Sequence, residues 1–351
     1  MSMITFIRHK SIKKFKATTL FCIKNIVSFA ALLYFWSKFK KHITMKRHLI
    51  LLTVAASFIV SCGNQASQSK NEIPLPKKQI VLEDGGTGDF KAVMFEDSSL
   101  QAHTIFCPKD LSPFSKDNPL PVLVWGNGAC YNSPHEHILF LNEIASHGYL
   151  VVATGYMPHD TVIYRGPMSK SEQQIESIDW AIAQNTNDKS YLCGKVNTKS
   201  IAAAGMSCGG LQTLFNCADP RLKTVMICNS GLFNNPGVAI PGMPMPEKSK
   251  LDELHTPIIY ILGDTMDIAY NNGMDDYYRI KNVPACAANL PVGHGGTYAQ
   301  PHGGEFSIVA TAWLDWQLKG NAEAAKMFKG DKPGVLARKD WKFEKNDLID
   351  K

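Results

Sequence analysis

From residue 91 onward, short apolar runs alternate with longer stretches in which apolar residues recur every three or four positions. "KAVMFED" and "HTIFCPKD" alternate as early strands do. "PLPVLVWGNGAC" is an apolar strand ending in a glycine-rich loop, and "EHILFLNEIASHG" has helical spacing and a glycine stop. The alternation continues with strand "YLVVATG", helix "SEQQIESIDWAIAQN", strand "SIAAAG", helix "GGLQTLFNCA" and strand "KTVMICNSG". Strand "PIIYILGD", a helix near "NGMDDYYRIK", strand "PACAANLPV" and the long helix "EFSIVATAWLDWQLKG" complete it. Repeated strand-then-helix order predicts an α/β fold with a mostly parallel central sheet and helices on both faces. Between Gly231 and His255 the chain is rich in Pro, Gly and Met, which predicts an irregular loop over the strand ends, no large lid domain and an open cleft. Trp180, Trp313 and Trp316 read as core. Met243 and Met245 are candidates for an apolar groove or for gap filling.

Charge changes the picture at the N-terminus only. The formal charge is +6, but 11 of the 37 Lys and Arg precede residue 49, where there is no Asp or Glu. The remainder is mildly acidic, so no nucleic-acid partner is expected. "MKRHLILLTVAASFIVSCGNQ" has the cationic start and apolar stretch of a secretory signal over 45–61. Its final Ile59-Val60-Ser61-Cys62 resembles the lipobox of bacterial lipoproteins, which implies lipidation at Cys62 and an exported protein anchored to a membrane of the cell envelope. Residues 62–78 read as a flexible tether and 79–351 as the catalytic domain. Residues 1–44 form a doubtful extension whose apolar stretch is too short to span a bilayer, so Met45 is read as the start.

Of nine cysteines, Cys22 and Cys62 fall in the targeting region; the seven that remain leave at least one unpaired within the chain. Without a CxxC or Cys/His cluster, no metal or other cofactor is expected. His135 and His137, two apart, do not face one ligand on a helix and read as a surface helix start.

The candidate chemistry lies in "SIAAAGMSCGGLQTL". Gly-x-Ser-x-Gly occurs by chance in a chain of this length about one time in ten, so its surroundings decide. Ser207 has an apolar strand before it, a helix after it, and glycines at 205, 209 and 210 that leave room for a sharp turn. That is the placement of a nucleophile elbow, with a helix N-terminus favouring developing negative charge. Cys208 is a poor thiol candidate, since the residue after the elbow points into helix packing.

Over about residues 80–330 this order resembles the α/β-hydrolase superfamily. The segments "GMSCGG", "NSG", "GDTMDIAYNNG" and "GHGGTY" are similar to compact, lidless secreted hydrolases of the dienelactone-hydrolase, chlorophyllase and polyester-hydrolase types. The resemblance implies a serine esterase, without cofactor, acting on small-molecule or polymeric esters. It implies an acid after the strand "IIYIL", where Asp267 is favoured over Asp264, and a later histidine, where His294 is favoured over His302. Asp264 is expected to cap a turn and His302 to cap or line the start of the final helix. The backbone N–H groups of Cys208 and Asn127, with Gly128 as the alternative, are the expected oxyanion donors. "GNGAC" departs from an HGGG-type loop and leaves the pocket shape open. A surface binding module with an idle triad and an acyltransferase using the same serine are the alternative functions.

Overall fold

The computed structural model describes residues 73–158, 166–235, 237 and 242–351; the readings made for 1–44, for the signal at 45–61 and for Cys62 lie outside the described residues. Among the described residues, one nine-stranded sheet carries the fold, in the order β1-β2-β4-β3-β5-β6-β7-β8-β9. The strands are β1 (Ala92–Asp97), β2 (Leu100–Pro108), β3 (Leu120–Gly126), β4 (Leu150–Thr154), β5 (Val196–Met206), β6 (Leu222–Cys228), β7 (Ile258–Leu262), β8 (Ala285–Asn289) and β9 (Lys342–Lys345). The strands from β4 through β3 to β8 pair in parallel, whereas β1/β2, β2/β4 and β8/β9 are antiparallel. The helices are α1 (Ile138–Ser146), α2 (Glu172–Thr186), α3 (Cys208–Phe215), α4 (Tyr270–Arg279), α5 (Gly304–Lys319) and the short α6 (Ala322–Ala325).

The central strands are buried along nearly their whole length because both faces are covered, which is why they read as apolar runs rather than alternations. Val122, Val124, Ile201, Ala203, Val225 and Ile227 face one core with side chains of α2, α3 and α4. Leu123, Trp125, Ala202, Ala204, Met226 and Cys228 face the other, with α1 and α5. Leu75, inside the stretch read as a tether, packs against the first core. No helix of the described residues is long and apolar enough to cross a membrane.

Two elements were not expected. The short helix α6 leads into the C-terminal segment, whose Phe328, Val335 and Trp341 are buried in the second core. Strand β9, "KFEK", closes the sheet edge against β8; three of its four residues are charged and Phe343 alone packs on the second core, too little for an apolar pattern.

The register sets up the site. Gly126 pairs with Gly205, Met206 with Cys228, and Leu262 with Asn289, so β3, β5, β6, β7 and β8 end near one edge. In an open parallel sheet this carboxyl edge is where ligands bind. The loops leaving it carry Asn127, Ser207, Asn229, Asp267 and His294.

Candidate active site

Ser207 sits between the last residue of β5 and the first of α3, with φ 52° and ψ −116°. A left-handed φ at a non-glycine costs about 1–3 kcal/mol and persists only where the surroundings hold it. Here the Ser207 N–H donates to the Cys228 carbonyl at 3.0 Å, and the Ser207 carbonyl accepts from Gly210 N, Leu211 N and Ser230 Oγ. The glycine spacing has a steric cause. A Cβ at Gly205 would overlap the Gly209 backbone, and one at Gly209 would overlap the Gly126 carbonyl.

His294 stands in the loop after β8, with Nε2 3.0 Å from Ser207 Oγ and Nδ1 2.6 Å from Asp267 Oδ1. A carboxylate oxygen only accepts, so Nδ1 carries the proton and Nε2 is free to accept from the serine. The histidine and acid loops are laced together by Gly293 N–H donating to Gly263 O at 3.0 Å. Asp267 is buried and fully bonded: Oδ1 also accepts from Ala269 N at 2.9 Å, and Oδ2 from Gly263 N at 3.0 Å and Asn229 Nδ2 at 2.7 Å. Burial acts to raise its pKa, but the bonds from His294, Gly263, Ala269 and Asn229 outweigh burial and hold the carboxyl below the ordinary range.

The alternative pair lies elsewhere. Asp264 opens a 3-10 turn, but its side chain is no cap; it accepts from Lys342 Nζ on β9 at 2.6 Å. His302 occupies the turn before α5 as expected, its Nδ1 3.3 Å from Glu83 Oε2 and 3.5 Å from Glu143 Oε2.

Asn127 directly follows β3, with its side chain turned inward to donate to Tyr131 O and Thr154 O. Cys208 begins α3, whose first N–H groups have no helical partner. Among the described residues neither amide donates a hydrogen bond to a backbone carbonyl outside the regular elements. Cys208 is buried in a disulfide with Cys130, which removes it as a thiol nucleophile.

Residues 83–273 match the model of a family described as PET hydrolase-like. The chain belongs to the PET hydrolase-like family. Membership marks it as an ester hydrolase of the α/β-hydrolase type. The matched segment holds Asn127, Ser207, Cys208 and Asp267, while His294 lies beyond it. A search of the curated proteins finds no match.

In this PET hydrolase-like chain Ser207 and His294 open onto a cleft with Leu211, Phe233, Met243, Ile268 and Ala269 as its apolar lining. Met243 thus lines the groove, and Met245 is not among the lining residues. Ile268 and Met266 stand 81% and 73% exposed beside the histidine and acid loops, an apolar rim at the mouth.

His137 corrects the reading of a surface helix start. It is buried, with ring centroids 5.2 Å from Trp125 and 4.9 Å from Tyr298. Burial, then His135, lowers its pKa to about 3, so it stays neutral. Two further residues were missed, Asn229 and Tyr298. Asn229 bridges Asp267 and Tyr298, donating to the Asp267 carboxylate and the Gly293 carbonyl while accepting from the phenol. Burial, Cys228 and Asp267 push the Tyr298 pKa up, so the phenol keeps its proton for Asn229. Asn229 had a signal, a polar residue directly after the apolar strand β6 at the edge that also carries Ser207, whereas Tyr298, nine residues beyond β8, had none.

Proposed function

We propose that this hydrolase cleaves carboxylic esters through a Ser207–His294–Asp267 triad and an acyl-enzyme. The observation that carries the reading is the continuous chain from Ser207 Oγ through both imidazole nitrogens to a buried, fully bonded carboxylate. His294 Nε2 takes the serine proton as Oγ attacks the ester carbonyl, and Asp267 stabilises the imidazolium without becoming protonated. The Cys208 and Asn127 amides face the oxyanion, each worth about 3–4 kcal/mol to the transition state. The imidazolium then protonates the departing alcohol. Water, activated by the same nitrogen, releases the acid and regenerates Ser207.

The open, apolar cleft supports small or polymeric esters as substrates, in keeping with the family. Lipidation at Cys62 holds the enzyme to a membrane outside the cytoplasm, a reading supported by the signal and lipobox-like residues before it. A fluorophosphonate probe tests the catalytic part: mass spectrometry finds the adduct on Ser207. A protein that binds esters yet is never labelled is a binding module. Product transfer to an added alcohol in preference to water marks an acyltransferase.

A further inference from the structure

The two backbone segments that flank the proposed oxyanion hole are joined covalently. Cys130 lies in the loop that follows β3, four residues beyond Gly126, Cys208 opens α3, and their disulfide spans 78 residues of sequence with a Cα–Cα distance of 5.2 Å. One half-cystine is therefore itself an expected donor of the hole, and the other sits three residues beyond Asn127.

The loop needs an external hold. Ala129 and Cys130 both lie in the left-handed region, at φ 50° and 49°. Two consecutive non-glycine residues there are strained, so the segment does not keep this shape by its own preference. Besides the disulfide, the loop is gripped through Cys130, whose carbonyl accepts from Ser169 N at 2.8 Å. Cys130 Sγ also accepts from Gln212 Nε2 at 3.3 Å. Gln212 lies one turn after Cys208 on α3, so the same helix face meets the loop twice. On the other side, Gly209 meets Gly126 backbone to backbone with no room for a Cβ, which sets how closely α3 approaches β3 but places no bond on the loop beyond Gly126.

We infer that the Cys130–Cys208 disulfide is a positioning device for the oxyanion hole, fixing the Asn127 amide relative to that of Cys208; this rests on the triad reading above. An oxyanion donor acts on the tetrahedral intermediate and little on the bound ester. Loosening it therefore lowers kcat and weakens tetrahedral adducts while leaving KM almost unchanged. A bond that serves only the fold changes the fraction of folded enzyme and not this ratio.

The test uses the full chain with two replacements of the pair, Cys130→Ala/Cys208→Ala and the better-filled Cys130→Val/Cys208→Ala, assayed on p-nitrophenyl acetate well below their melting temperatures. The expected result is a kcat at least about tenfold lower with KM within about threefold. Affinity for phenylboronic acid, which adds to the serine as a tetrahedral anion, falls in parallel with kcat. A folded variant with kcat within twofold of the wild type overturns the inference. So does a loss in which KM rises with unchanged boronate affinity, and so does failure of both variants to fold, which would make the bond a requirement of folding. If the wild type neither turns over ester nor accepts a fluorophosphonate at Ser207, the triad reading falls and takes this inference with it, a result visible before any variant is made.

Discussion

Asn229 holds Asp267 from behind: its Nδ2 lies 2.7 Å from Asp267 Oδ2 and 3.2 Å from the Gly293 carbonyl beside His294. One amide thus ties the acid to the loop of its histidine. It does so from a left-handed backbone, at φ 43°, immediately after β6.

Removing that amide tests its weight. A hydrogen bond to a charged group contributes about 1.5–3 kcal/mol, so Asn229→Ala is expected to lower kcat by roughly tenfold or more, with a smaller change in KM. Steady-state kinetics on a soluble ester measure it, and a kcat within twofold of the wild type would show that Asp267 is held well enough without it.

The two neighbouring aspartates separate cleanly. Asp267→Asn removes the negative charge beside the imidazolium and turns one of two accepting oxygens into a donor, which disfavours the required tautomer and, by analogy with the chymotrypsin template, costs about 10⁴ in turnover. Asp264→Asn breaks the pair with Lys342 on β9 and is expected to lower the melting temperature while leaving kcat within about threefold. Parallel assays of kcat and thermal unfolding decide; a large loss of turnover in Asp264→Asn would contradict the geometry.

Asp276 gives a pH signature. It is buried on α4, where Oδ1 lies 2.6 Å from Lys248 Nζ and Oδ2 accepts from Leu232 N at 2.7 Å. Burial outweighs Lys248 and raises its pKa to about 6 from an unfolded value near 3.8. Between those values the folded chain holds a proton that the unfolded chain has released, so stability from this group is full below pH 3.8 and is lost as pH rises through 6. The stability of the wild type relative to Asp276→Asn should therefore fall between pH 4 and 6.5, by at most about 3 kcal/mol. Denaturant melts across that range measure it, and a difference independent of pH would contradict it.

The proposed lipid anchor predicts that Cys62→Ala releases the protein from membranes and abolishes palmitate incorporation, because Cys62 directly follows the residues read as a signal. Retention of both in fractionated cells would place the anchor elsewhere.

What was legible in the sequence follows from burial and register. Strands β3 to β8 could be read because both their faces are covered. Ser207 could be read because three backbone segments converge at Gly126, Gly205 and Gly209 and leave no room for a Cβ. Asp267 and Asp264 differ by only three positions, so their order along the chain identified the loop, and only the resemblance favoured Asp267; the side-chain contacts, His294 on Asp267 and Lys342 on Asp264, distinguish the two. Asn229 and the Cys130–Cys208 pair escaped because their roles depend on which strand ends are neighbours. The pairing of Met206 with Cys228 brings the next residues, Ser207 and Asn229, to the same edge. The pairing of Gly126 with Gly205 brings the two cysteine-bearing turns together. Strand β9 escaped because an exposed charged edge looks like a loop.

The proposed nucleophile is tested by the turnover number of Ser207→Ala on p-nitrophenyl acetate, with the fold checked by circular dichroism. The account predicts a loss of at least about 10³ in a folded protein. A folded variant retaining turnover within tenfold of the wild type would contradict it.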